Sequence, residues 1–180
     1  MSYQCPISNY SFMDMSKIRK KFSHFYIIYV EKIYRFVYLK VSSQEIAEDL
    51  TSRVFTQGWN KFRIGQDIKN PRAYIYQIAR NEVVNYYREK SKFKTVSVES
   101  VEIVDPQLGA EEKSRLESDL EEVKKAISCL NDDYQNVIIW RYLDNLPIKE
   151  IAGIMEKPEG TVRVMLHRAL NEVKKKLEVE

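Results

Sequence analysis

Arg163, Val164, His167, Arg168 and Asn171 recur at spacings of i, i+1, i+4, i+5 and i+8, which put them on one face of a helix. These residue types bind edges and charges rather than transform substrates. Arginine bonds guanine bidentately, asparagine reads adenine, and valine meets a thymine methyl, so the stripe suits a helix lying in the major groove. A helix start near Thr161 offers backbone N–H groups to a phosphate. Lys174, Lys175 and Lys176 add attraction that is blind to sequence. An ordinary helical hairpin with a solvated face could use the same residues, so the stripe alone leaves both readings open.

A second constellation lies upstream. Tyr74, Gln77, Asn81, Asn85 and Arg88 form an aromatic and amide-bearing face that ends in basic residues. Aromatic platforms and cations suit unstacked single-stranded bases, and a flipped base needs hydrogen-bonding edges around it. For Tyr74 and Tyr76 completion of a core is the plainer reading. Asp49-Leu-Thr-Ser-Arg-Val-Phe55 is a helical segment with a Leu50/Val54 side and a mixed-charge side. By itself it reads as a solvated face.

Catalytic and metal chemistry find little to work with. Hydrolytic or phosphoryl chemistry wants a carboxylate cluster, a phosphate-cradling glycine loop, or a nucleophile with a paired histidine. Asp132 and Asp133 read as first-turn helix acids, and His24 and His167 have no evident partner. Cys5 and Cys129 lack metal-ligand spacing and read as thiols in a reducing cytoplasm. We therefore expect no catalytic residue, no metal, no cofactor and no small-molecule substrate.

The elements that position these faces are helical. Five glycines and five prolines in 180 residues leave few turns for a many-stranded sheet, so the class is all-α. Helical periodicity runs through Phe22, Tyr26, Tyr29, Ile33, Phe36 and Val37. Ser42 or Ser43 can cap a second helix that buries Ile46, Ala47, Leu50 and Val54, with Trp59 and Phe62 closing it. After an irregular stretch from Arg63 to Lys69, Asn70-Pro71 starts a third helix, with Asn as cap and Pro at the first position. Ile75, Ile78, Ala79, Val83 and Tyr86 form its inward stripe.

From Thr95 to Gly109 the pattern fails, which reads as a flexible linker. Helical character resumes near Glu111 with Leu116, Leu120, Val123 and Ile127. Asn131 can cap a helix from Asp132 to Tyr142. Ile148, Ile151, Ala152 and Met155 then line one short helix, and Val162, Leu166, Ala169, Leu170 and Val173 line the last. Lys157-Pro158 forces the break between these two, giving helix-turn-helix geometry. The chain thus divides into helical modules at 16–92 and 112–178, joined through 93–111. A linker of roughly 20 residues reaches about 70 Å. That matches two turns of duplex at about 34 Å each.

Charge supports this without deciding it. The net charge of +3 is mildly basic, but cations cluster at Lys17–Lys21, Arg88–Lys94 and Lys174–Lys176. No signal-peptide layout opens the sequence. The most apolar run, Phe25 to Val30, is far short of the ~20 residues of a membrane span. We expect a soluble, cytoplasmic protein without membrane insertion.

Leu130-Asn-Asp-Asp-Tyr-Gln-Asn-Val-Ile-Ile-Trp-Arg-Tyr-Leu-Asp-Asn-Leu-Pro-Ile-Lys-Glu-Ile-Ala152, then Pro158-Glu-Gly-Thr-Val-Arg163 and Leu166-His-Arg-Ala169, resemble the fourth region of the extracytoplasmic-function (ECF) sigma factors. Glu48-Asp-Leu-Thr51, Val54-Phe55, Trp59, Asn70-Pro-Arg-Ala-Tyr74 and Ile78-Ala-Arg-Asn81 resemble the second region of the same family. The resemblance covers both modules in order, without a third-region domain between them.

It implies a factor that joins core RNA polymerase through the β′ coiled coil and the β flap and directs it to promoter DNA. The upstream minus-thirty-five readers would be Arg163, Val164, His167 and Arg168. Asp49, Leu50, Arg53 and Phe55 would belong to the polymerase-binding surface. The Phe62–Asn70 loop and Asn81 would hold a base of the melted minus-ten strand, with Tyr86 and Arg88 along it. An anti-sigma factor is an implied partner. Three departures stand out: Val164-Met165 where Ser-Arg is usual, Glu156 where a turn glycine is common, and Ser52-Arg53 in place of Gln-Glu. The first two bear on promoter choice and the turn, the third on polymerase affinity. The competing reading is a helix-turn-helix regulator that binds DNA without joining polymerase.

Overall fold

The structure, a computed structural model, describes residues 15–64, 68–92 and 125–177. Three long helices come first: α1 (Met15–Val41), α2 (Gln44–Arg63) and α3 (Pro71–Lys92). A helical turn at 125–128 leads into α4 (Asp132–Ile138), which runs directly into a π-helical turn (Ile139–Leu143). Helices α5 (Ile148–Met155) and α6 (Glu159–Leu177) complete the chain. No strand occurs among the described residues, as the all-α expectation requires. The linker from 93 to 111, the helical stretch with Leu116, Leu120 and Val123, and residues 65–67 lie outside the described residues.

Local sequence explains most boundaries. The Asn70 Oδ1 accepts from the Ala73 N–H at 3.0 Å, capping α3, and Pro71 occupies the position where no N–H is needed. Asn131 caps α4 in the same way through the Tyr134 N–H. The α1–α2 reversal is built differently from the expected serine cap. Ser43 takes the cap position but its side chain makes no capping bond, and Ser42 adopts a left-handed φ of 52°. Gly58 serves close packing: a Cβ there would lie 3.0 Å from Ile75 Cδ1, so α2 and α3 approach more closely than a larger residue would permit.

Two further expectations are corrected. The helix predicted from Asp132 to Tyr142 switches to π geometry after Ile138, with the Asp144 N–H donating to the Ile139 carbonyl at 3.1 Å. Tyr26, part of the helical periodicity read along α1, is 44% exposed and leans edge-on over Phe55. Leu170, assigned to the inward face of α6, is exposed as well, because Val162 and Ala169 already fill the space beneath that helix.

The two groups of helices share one core. Phe36 of α1 stacks on Trp140 of the π turn at 5.4 Å between centroids, and Tyr76 of α3 meets the same indole edge-on at 6.0 Å. All three rings are fully buried. Their geometry is the offset and edge-on packing that aromatic quadrupoles favour. Ion pairs ring this contact. Arg35 pairs with Asp144, Lys40 with Asp132 at 2.5 Å, Arg72 with Glu150, and Arg80 with Asp133 at 3.1 Å. In the sequence, nothing fixed how the modules sit, and the linker allowed wide separation. The structure packs them face to face.

Candidate nucleic-acid interface

Helix α6 presents its stripe to solvent. Arg163, Val164, His167, Arg168 and Asn171 are all exposed, while Val162 and Ala169 on the opposite side are buried. Thr161 is exposed in the first turn, among N–H groups that the helix itself cannot pair. The stripe is loosely held: Arg163 pairs with Glu159 one turn back at 3.0 Å, and Asn171 lies 3.4 Å from His167 Nδ1. Exposed i,i+4 contacts of this kind are worth only about 0.3–0.5 kcal/mol, so a stronger ligand can displace them.

The turn that sets the angle between α5 and α6 carries strain. Glu156, at the position where a glycine would be comfortable, has φ 54° and ψ 39°. An L-residue there crowds its Cβ against the backbone. Ile151, Ala152, Ile154 and Met155 anchor α5 beneath α6, which fixes the direction in which the stripe points.

Helix α3 holds the other recognition face. Asn81 and Arg88 are exposed and Tyr86 is half-buried, with the Lys90 ammonium 5.7 Å over its ring. Asn81 lines a cavity of about 300 Å³ with Gln57, Tyr74 and Arg80, and the far wall is Ile154 and Glu156 of α5. The Gln77 amide spans this cavity, donating to the Gly153 carbonyl and to Glu156 Oε1, both at 3.3 Å. Thus Gln77 of the amide face is engaged by α5, while Asn81 and Asn85 are exposed. Phe62 packs half-buried against Phe22 and Phe25, and Asn70 spends its side-chain oxygen on the α3 cap.

On α2, Asp49, Ser52 and Arg53 are the exposed members of the Asp49–Phe55 segment, and Asp49 and Arg53 pair with one another at 2.7 Å. Leu50 and Phe55 point inward and are nearly fully buried, so they shape this face from beneath rather than present it. Beside it runs an apolar groove of about 570 Å³ between α1 and α2, lined by Phe22, Tyr26, Val30, Phe55 and Trp59.

The titrating groups nearest these faces respond chiefly to burial. Burial raises the Tyr76 phenol well above its ordinary value, and the Asp144 carboxylate, which accepts its hydrogen bond at 2.9 Å, raises it further. Burial also raises Tyr87, whose hydroxyl donates to the Lys40 carbonyl. It lowers Lys40, while the bond to Asp132 opposes that shift.

Sequence reasoning found the exposed stripes but missed Arg35, Lys40, Asp144 and Glu150, which join the two groups of helices. Their only signal is opposite charge at distant positions, and periodicity within a helix cannot reveal it. Among the described residues no cluster of histidine, cysteine or carboxylate side chains could hold a metal ion. None of the described helices is long and apolar enough to cross a membrane.

Comparison with known proteins bears on both faces at once. A family model described as Sigma-70 region 2 matches residues 25–93, and one described as Sigma-70, region 4 matches residues 120–173. The ECF RNA polymerase sigma factor BldN of Streptomyces coelicolor is 31% identical over 157 residues, covering 83% of this chain. The chain spans 57% of that protein's length. The ECF RNA polymerase sigma factor SigX of Bacillus subtilis is 22% identical over 167 residues, covering 90% of this chain and 86% of that protein.

Among solved structures, the sigma factor RpoE of Bartonella quintana in complex with the anti-sigma factor NepR superposes with a TM-score of 0.72 at 25% identity. The match covers 89% of this chain and 99% of that one. CnrH, in complex with the cytosolic domain of CnrY, superposes with a TM-score of 0.66 at 16% identity, covering 90% of each chain, and shows the shared fold.

Proposed function

The chain belongs to the sigma-70 family, in its extracytoplasmic-function class, and on that premise we propose that it binds core RNA polymerase and directs it to promoter DNA. The observation that carries this is the pair of family matches in order along the chain: region 2 on α1–α3 and region 4 on the helices that end in the α6 stripe. A regulator that reads DNA without joining polymerase accounts for the second match and leaves the first without a role.

In this reading the first module spans 16–92, the linker 93–111 and the second module 112–178. The Asp49/Arg53 face of α2, shaped by Leu50 and Phe55, docks on the β′ coiled coil, and the second module engages the β flap. Arg163, Val164, His167, Arg168 and Asn171 read upstream duplex, with Thr161 on a phosphate. Asn81, Tyr86 and Arg88, with the segment from Phe62 to Asn70, hold the melted strand. The exposure of the α6 stripe and of Asn81 and Arg88 on α3 supports these roles. No bond is made or broken by the protein: binding energy to polymerase and DNA opens the duplex, and the work is done in the bacterial cytoplasm. An anti-sigma factor is a fitting regulator, since RpoE of Bartonella quintana is held by one.

Run-off transcription with bacterial core polymerase over a randomised promoter library tests this. Selective initiation from two-part promoters is the expected result. Duplex binding with no effect on polymerase would overturn it in favour of the plain regulator.

A further inference from the structure

Helix α1 has an outward face that neither the core nor the contact between modules uses. Lys20, Lys21, His24, Ile27 and Ile28 follow one another at helical spacing and are all exposed, while Ile18 and Ile33 on the inward side are buried. Ile27 is 73% exposed, more than any other large apolar side chain among the described residues. One exposed isoleucine is ordinary, but two adjacent ones beside a run of cations form a patch with both an apolar and a charged demand. None of these five residues lines the apolar groove between α1 and α2. The cations of the module contact, Arg35, Lys40, Arg72 and Arg80, lie elsewhere.

The charge of the α1–α2 hairpin is strongly divided. Phe22 packs on Trp59 and Phe62, so the start of α1 runs beside the end of α2. At that end Lys61 and Arg63 join Lys20 and Lys21, with Ile64 exposed next to them. No aspartate or glutamate occurs from 15 to 30 or from 50 to 64. The acids of the hairpin, Glu31, Glu45, Glu48 and Asp49, all lie toward its other end. The cations are therefore not offset locally, and their field reaches an anionic partner undiminished.

Nucleic acid would meet only half of this demand. Its phosphates suit the cations, but aliphatic side chains offer a base no ring to stack on, and Ile27 and Ile28 would stay in water. An anionic lipid surface meets both halves: headgroup phosphates take the lysines and arginine, and the isoleucines reach the acyl boundary just beneath.

We infer that this end of the α1–α2 hairpin binds the surface of an anionic phospholipid bilayer. The contact is peripheral, since none of the described helices is long and apolar enough to cross a membrane. A few isoleucines and a cation cluster give reversible attachment rather than an anchor. This goes beyond polymerase and promoter binding, and the α6 stripe, on the other module, shares no side chain with it.

The test sediments full-length protein with vesicles of phosphatidylglycerol and phosphatidylcholine in equal parts, and with vesicles of phosphatidylcholine alone. Wild type is expected to bind the first and not the second. Lys20→Gln/Lys21→Gln should weaken binding about thirtyfold, each cation near an anionic surface being worth about fivefold. Ile27→Ser should weaken it about fivefold through lost apolar contact. Lys125→Gln/Lys149→Gln makes the same charge change at exposed sites beyond the hairpin and should leave binding within about twofold of wild type.

No binding to the phosphatidylglycerol vesicles overturns the proposal, as does equal loss in the two double variants. An Ile27→Ser protein that binds like wild type overturns it too, because charge alone would then account for the attraction. A labelled single strand of randomised sequence serves as the second probe, and Ile27→Ser should leave its affinity unchanged. If strand binding instead falls in both hairpin variants by the same factors as vesicle binding, the face belongs to nucleic acid. Run-off transcription with the wild-type protein reports separately on the sigma reading, since neither of these measurements contains polymerase.

Discussion

Asp144 and Tyr76, 68 residues apart in sequence, are joined by a buried hydrogen bond of 2.9 Å, and the same carboxylate pairs with Arg35. One side chain of the second module thereby ties together α1 and α3 of the first. Removing the hydroxyl with Tyr76→Phe leaves the ring in place but costs the carboxylate one of its partners. The expected loss is about 1.5–3 kcal/mol, the range for hydrogen bonds to charged groups. Chemical denaturation with unchanged m-value is the measurement, and an unaltered midpoint would show that water replaces the phenol freely.

The same phenol sets the alkaline limit. Burial and Asp144 hold the Tyr76 proton far above the ordinary value of 10.0, and burial raises Tyr87 too. Below pH 10 the folded and unfolded chains keep these protons alike. Above pH 10 the unfolded chain releases them and the folded chain does not, so stability falls as pH rises. Lys40 acts in the opposite sense, since its pKa is lowered from 10.5 and the folded chain loses that proton first. Burial and Glu48 raise Tyr34 as well, so three tyrosines against one lysine give a net fall. Melting temperature should drop above about pH 10, and Tyr76→Phe should flatten the decline.

Glu156 offers a gain. With φ 54° it occupies backbone space that glycine accepts without strain. Glu156→Gly should stabilise the protein by about 1 kcal/mol, offset slightly by the exposed Gln77 contact it gives up. A thermal scan showing a lower melting temperature would mean that the Gln77 contact outweighs the backbone strain.

Arg163 tests the proposed separation of the two binding activities. Its partner Glu159 lies one turn back on the same helix, and the side chain is exposed. Arg163→Ala should weaken promoter duplex binding by about 1–3 kcal/mol, the worth of one base-reading arginine, and leave polymerase affinity unchanged. Equal loss of both would count against the division of labour between α6 and α2.

Arg53 provides the converse. Arg53→Glu breaks the pair with Asp49 and sets two acids together on the exposed face of α2. Affinity for core polymerase should fall about tenfold, on the scale of a mutated interface charge pair. Binding of the randomised single strand should stay the same, and a matching drop there would place Arg53 on the nucleic-acid face instead.

Much of this was legible in the residues. Asn70-Pro71 and Asn131 mark helix starts because an amide side chain before a helix has one favourable use, and both serve it. The α6 stripe follows from a period of 3.6, and the oddity of Glu156 follows from a turn that wants glycine. Other features had no local signal. The π turn depends on how Trp140 fits between Phe36 and Tyr76, which is a matter of three distant segments. Leu50 and Phe55 were assigned to the polymerase face through a family resemblance, and the structure buries both, which a motif match does not reveal. Asp132 and Asp133 were legible as first-turn acids, but not their second use against Lys40 and Arg80.

Because Phe36, Tyr76 and Trp140 sit on a single chain, their closure is a first-order event. Its equilibrium does not change with the amount of protein present, unlike an association between separate chains, which dilution reverses.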